Sequence, residues 1–203
     1  MEAINLMVQI FVALGTITVA VLAIWGDWIR HKLAGPKLRF ALLDTAGTVT
    51  HRRDGKKGRY YKLRVWNDRK WSPARNVRVV LKSIFKPAAD GTLTPQPLSG
   101  PLQLTWQWIV PQYPTLGAGE EICTFANLVQ GEQFVLSPYI TPNNFVGFLK
   151  ANDRMMIEVS VVSDTSESEP LFLDLSWNGQ WSEDTAVMLN NVVIRERRGI
   201  ETS

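Results

Sequence analysis

The chain has 203 residues, 45% hydrophobic and 20% charged, with 22 Lys and Arg against 19 Asp and Glu and a net charge of +3. That composition excludes a disordered polymer and suits one medium domain plus an anchor. The single cysteine, Cys123, excludes an intramolecular disulfide framework, and His31 and His51 lie in charged stretches without the motif partners of histidine-built triads or zinc sites.

The N-terminal run INLMVQIFVALGTITVAVLAIW, Ile4 to Trp25, holds twenty-two residues without a charge. As a helix rising about 1.5 Å per residue it spans about 33 Å, close to the thickness of a bilayer's hydrocarbon. A water-soluble helix would carry charges along one face. A cleaved signal peptide would have a basic start, a shorter apolar core and a small-residue cleavage site, whereas Met1, Glu2 and Ala3 precede this core. The expectation is a retained transmembrane anchor over 1–29, with Trp25 and Trp28 at the interface, followed by a juxtamembrane linker over 30–36. Lys and Arg are absent before the anchor, while Arg30, Lys32, Lys37 and Arg39 follow it. Positive flanks stay inside, which places the protein in the cell's inner membrane, N-terminus outside and C-terminal domain cytoplasmic. Gln9, Ala13, Thr16, Ala20 and Ala23 recur at intervals of four and three, a stripe of small or polar side chains where a second helix could approach.

Gly35 and Pro36 break the helix. A β-sandwich domain is expected over 37–194, with a tail over 195–203. Further candidate strands are 38–44, 48–53, 102–108, 121–128 and 133–140. Period-two alternation puts Tyr61, Leu63 and Val65 on one face, as it does Val77, Val79 and Leu81, then Ile157, Val159 and Val161, then Leu171, Leu173 and Leu175. Asp54-Gly55, Asp90-Gly91 and Asn178-Gly179 are turn signals. A short helix is expected in TPNNFVGFLKAN, with Thr141 as its cap and Pro142 as its first residue. The tail SEDTAVMLNNVVIRER suits either a short helix or a last strand. Many short strands without alternating βα units predict a mainly β fold, an antiparallel sandwich.

The segment YYKLRVWNDRKWSPARNVRVVL resembles the early strands of bacterial immunoglobulin-like domains of the CARDB/NEW3 type, through Val65, Asn67, Ala74, Asn76, Val77 and Val79. It departs from them by placing DRKWSP where a short glycine turn is common. The resemblance implies an immunoglobulin-like sandwich of the adhesion or scaffold sort and carries over no catalytic residue.

Charge is unevenly distributed. Residues 37–87 hold fifteen Lys and Arg against three Asp and Glu, while residues 88–194 hold two against twelve. The first reading is pairing of the two halves across strands. The second is apposition of Arg52, Arg53, Lys56, Lys57 and Arg59 to anionic lipid, at about 1 kcal/mol per well-placed residue. Nucleic acid ranks last, because no RRM, OB or helix-turn-helix signature accompanies the charge.

Of eight tryptophans, Trp106 and Trp108 are expected on one strand face. The loop-flanking Trp66, Trp71 and Trp181 are expected to form an exposed interaction surface. No HExxH, paired-cysteine, GxSxG or GxxxxGK pattern occurs. The acids Asp164, Glu167, Glu169, Glu183 and Asp184 read as solvated loops rather than a hydrolase site. The expectation is therefore a non-catalytic, membrane-anchored scaffold without metal or cofactor, holding a protein partner or a second copy. The alternative is an envelope-facing ligand or carbohydrate binder.

Overall fold

A computed structural model describes residues 2–108 and 113–197, and the side chains of all of these except 2, 3 and 27–33. The chain starts in helix α1 (Glu2–Ala34). Gly35 and Pro36 end it, so the expected linker is helical as far as Ala34. Within α1, Ile4–Gly26 is long and apolar enough to cross a membrane, and none of that window is buried against the rest of the chain.

Beyond the helix come β1 (Leu38–Leu42), β2 (Thr48–His51), β3 (Lys57–Asn67), β4 (Arg78–Pro87), β5 (Leu93–Pro95) and β6 (Leu102–Gln103). They are followed by β7 (Thr105–Trp106), β8 (Glu120–Val129), β9 (Phe134–Leu136), β10 (Phe148–Leu149), β11 (Asp153–Val162) and β12 (Leu171–Trp177). Helix α2 (Thr185–Asn191) and β13 (Val192–Arg197) complete the described residues.

The strands form two antiparallel sheets. The first runs β1-β3-β8-β9-β10, with β2 also on β3 and β7 on β8; the second runs β13-β12-β11-β4-β5, with β6 on β4. The alternation read from the sequence holds. Tyr61, Leu63 and Val65 of the first sheet share one apolar core with Val79, Leu81, Ile157, Val159, Leu173 and Leu175 of the second. A strand that buries one face must place every second residue there, which is why the register is so well specified. The Asp54-Gly55 turn joins β2 to β3, with Gly55 at φ +79° and the Arg52 amide donating to the Lys56 carbonyl at 2.9 Å.

Three expectations need correction. TPNNFVGFLKAN forms no helix: Asn144 takes φ +60°, Phe145 and Val146 pack on the core, and residues 148–149 join β9 as β10. Residues 102–108 are not one strand. The chain pairs with β4 through β6, changes sheet at the buried Leu104, and pairs with β8 through β7. Trp106 therefore enters the core while Trp108, past the strand end, is 81% exposed. The tail is helix and strand in turn. Asp184 caps α2 by accepting from the Ala186 and Val187 amides, and β13 runs to Arg197, past the expected domain edge at 194.

Candidate functional site

The expected interaction surface is dispersed. Trp66 lies at the end of β3, with the Arg64 guanidinium 5.1 Å above its ring and its Nε1–H donated to Asp68 at 2.8 Å. Trp71 is 68% exposed, with the Arg69 guanidinium 5.9 Å from its ring. Trp181 is half-buried and packs on the core at the opposite end of β3, beside the 182–183 loop that Arg59 holds. Arg59 and Trp66 are seven strand residues apart, about 23 Å at the usual rise, so Trp181 does not join the other two.

The expected basic face is mostly paired internally. Arg52 and Lys56 meet Glu132, Lys57 meets Glu183, and Lys37 and Arg39 meet Asp68. Arg53 is exposed. The side chains of Arg30 and Lys32 lie outside those described. Arg59 corrects the lipid-facing expectation: it is 0% exposed. Its guanidinium donates to the carbonyls of Ala46 (2.8 Å), Gly47 (3.1 Å), Ser182 (2.9 Å) and Glu183. Alternation with Tyr61, Leu63 and Val65 puts residue 59 on the inner face, and there, level with Val49 on β2, its guanidinium ties the 46–47 and 182–183 loops together.

On α1, Gln9, Ala13, Thr16, Ala20 and Ala23 are all exposed along the helix. The Thr16 hydroxyl donates to the Val12 carbonyl at 2.9 Å, satisfying its donor within the helix.

A site that the sequence did not disclose lies on the outer face of the first sheet. Tyr61 and Leu63 face the core, so Tyr60 and Lys62 face away. The register between β3 and β8 shifts there: Tyr61 opposes Ala126 and Lys62 opposes Thr124, leaving Phe125 as the extra residue of a bulge. Thr50 of β2 lies alongside, since Thr48 pairs with Tyr60. From the other side β7 delivers Thr105, Gln107 and Trp108, and the Thr105 hydroxyl and amide both donate to the Ser137 carbonyl at 3.2 Å. Together with Trp106, Thr124 and Ser137 these residues line a groove of about 390 Å³, mainly apolar.

Two side-chain polar groups there lack partners among the described residues. Lys62 is 8% exposed; its carbonyl accepts from the Leu43 amide at 3.0 Å, but its ammonium makes neither hydrogen bond nor ion pair and keeps contact with solvent. The Gln107 amide is anchored to the Ile122 carbonyl at 2.9 Å, but its side-chain Oε1 is buried without a donor. No carboxylate lines the groove, so the lysine's charge is uncompensated locally. A buried polar atom without a partner, such as Gln107 Oε1, costs about 1–3 kcal/mol.

Elsewhere Tyr61 Oη, Ser160 Oγ, Trp181 Nε1 and Asn191 Nδ2 are also buried without a hydrogen-bond partner, while the charged groups are mostly held. Asp174 is held by Arg154 (2.6 and 2.7 Å) and Arg197 (2.9 Å); burial pushes its carboxyl up, but the two guanidiniums outweigh that and hold it below the usual range. Asn67, buried at the end of β3, accepts from the Lys37 and Arg69 amides and donates to the Ser72 and Leu116 carbonyls, fixing the chain where it leaves α1. Of the acids read as solvated loops, Glu167 and Glu183 are paired with Lys82 and Lys57, and Asp164 accepts from Asn76. Among the described residues no three His, Cys, Asp or Glu side chains are grouped to hold a metal. Compared with known proteins, the chain matches no family model and no curated sequence.

Proposed function

We propose that this is a single-pass membrane protein whose domain, an immunoglobulin-like sandwich, serves without catalysis as an interaction module holding a partner at the membrane. One observation carries the reading: Ile4–Gly26 exposes its apolar side chains all round, while the two sheets close their core without it. Each large apolar side chain left in water forgoes about 1.5–3 kcal/mol of burial, and lipid is the solvent that recovers it. The cationic flank from Arg30 to Arg39 favours an inner-membrane orientation with the domain in the cytoplasm. The immunoglobulin-like assignment is supported by the burial of Val65, Asn67, Ala74, Val77 and Val79, five of the positions that carry the resemblance. The stripe from Gln9 to Ala23 offers a line of approach to a second membrane helix, from a partner or another copy.

A binding role is supported by aromatic side chains left uncovered, Trp71 and Trp108 above all. The outer groove also favours a second reading, an envelope-facing ligand binder, which needs the opposite topology. The test is extraction and copurification. The chain should stay with membranes through an alkaline carbonate wash, dissolve in detergent, and bring down a stoichiometric companion. Release by carbonate, or a turnover activity in the pure chain, would overturn the proposal.

A further inference from the structure

We infer that the outer groove of the first sheet receives an acidic, apolar-flanked peptide segment of the partner, with a carboxylate on Lys62 and the peptide backbone on Gln107. The inference rests on the interaction-module reading and names the chemistry that reading leaves open.

Three features converge on this occupant. Lys62 is more than nine-tenths buried and unpaired among the described residues, and it lines a groove without a carboxylate. A cation so placed touches water only along the groove, and an incoming anion would meet it in mainly apolar surroundings. The ammonium is a compact charge, suited to one carboxylate rather than to a planar fork of acceptors. Next, the groove is mainly apolar, and Trp108 on its rim is 81% exposed. An aliphatic or aromatic side chain would gain burial between Tyr60 and Trp108. A sugar would surrender the hydration of several hydroxyls for few partners. Last, the carboxamide end of Gln107 is sunk in the wall with an unmet polar atom. Amide oxygen and nitrogen exchange places by a flip, and a peptide group carries both an N–H and a C=O, so it satisfies either orientation. The β-bulge at Phe125 lies where β3 passes from Tyr61 to Lys62, the usual place for a sheet to re-aim a side chain toward a ligand.

The experiment uses the full-length chain in neutral phosphatidylcholine nanodiscs, its tryptophans replaced by 5-fluorotryptophan and the Trp108 fluorine resonance assigned through Trp108→Phe. The probes are acetyl-Phe-Glu-amide and its uncharged counterpart acetyl-Phe-Gln-amide. The glutamate peptide should shift the Trp108 resonance, with the glutamine peptide about tenfold weaker or more, the scale of a charge-assisted hydrogen bond. Lys62→Met should weaken the glutamate peptide by about the same factor and Lys62→Arg restore part of it, with the core Trp177 resonance unmoved as the folding control. If Lys62→Met does not fold, the two peptides on the unsubstituted chain still decide. Equal titration by both, no response at Trp108, or a stronger response to methyl glucoside than to either peptide would overturn the inference. Because the titration needs no copurified partner, its failure leaves the anchored-module reading to be judged by extraction and copurification alone.

Discussion

Arg59 and Lys62 lie three residues apart on one strand and both leave water, yet they do so on opposite faces and by different means. Arg59 turns inward, where four backbone carbonyls from two separate loops accept from four of its five N–H groups. Carbonyl dipoles rather than a carboxylate compensate the charge, so removing the guanidinium strands several acceptors at once. Arg59→Met should lower stability by about 3 kcal/mol, read as a shift of the urea midpoint at unchanged slope, and Arg59→Lys should recover only part because one ammonium reaches fewer carbonyls. Asp174 makes the opposite case, an anion between two cations. Its carboxyl sits lower in the folded chain than in the unfolded one, so the unfolded chain binds the proton first as pH falls. Its contribution is fully present above the unfolded value of about 3.9 and is lost as acid carries pH down through the folded value. Arg154 and Arg197 are nearly half exposed, at 44% and 47%, so screening limits the gain. Asp174→Asn should cost about 1–2 kcal/mol at pH 7 and less near pH 3, measured by urea unfolding at both.

At the scale of elements, the turn after β12 shows what a glycine is for. Gly179 holds φ +91°, and a Cβ there would lie 2.4 Å from the Ala151 Cβ. Gly179→Ala should cost about 2–3 kcal/mol, from backbone strain and overlap together. Adding Ala151→Gly should return the part owed to overlap and leave the strain; a double variant no better than the single in thermal unfolding would assign the whole cost to the backbone. Asn178-Gly179 was readable in advance because positive φ has a local signature. So were β3, β4, β11 and β12, whose inner faces must alternate. The short helix expected at Thr141 was misread for the converse reason. Its capping signal is local and real, but Phe145 and Val146 gain more by packing on the core, and Asn144 turns the chain to let them. The sheet change at Leu104 and the groove beyond it were hidden because both depend on which strands meet. Alternation assigns Lys62 outward, as observed; that it is nonetheless buried there, in a groove it shares with Thr105 and Trp108 some forty residues later, depends on tertiary neighbours.

Over the whole molecule, the separation of charge along the chain becomes proximity in the fold. β3 carries the basic run and lies beside β8, so Arg64 meets Glu120 at 3.7 Å and Lys56 meets Glu132 at 2.7 Å, while Lys82 meets Glu167 and Lys57 meets Glu183. Exposed pairs of this kind are worth about 0–1 kcal/mol each, so their main effect is on the field around the domain rather than on its stability. Arg53, Lys70, Arg75 and Arg78 stay exposed outside these pairs, and the orientation proposal depends on the residues flanking α1, not on the hairpin. Topology can be tested directly because the native thiol is silent: Cys123 is fully buried, and burial pushes its pKa up, away from the reactive thiolate. A single Ser99→Cys change in the exposed loop between β5 and β6 supplies the only reactive site among the described residues. With a cytoplasmic domain, a membrane-impermeant maleimide should label that cysteine only after the cells are permeabilised. Labelling in intact cells would put the groove outside, where the ligand-binder reading, and not the cytoplasmic scaffold, accounts for an uncovered Trp108 beside an unpaired lysine.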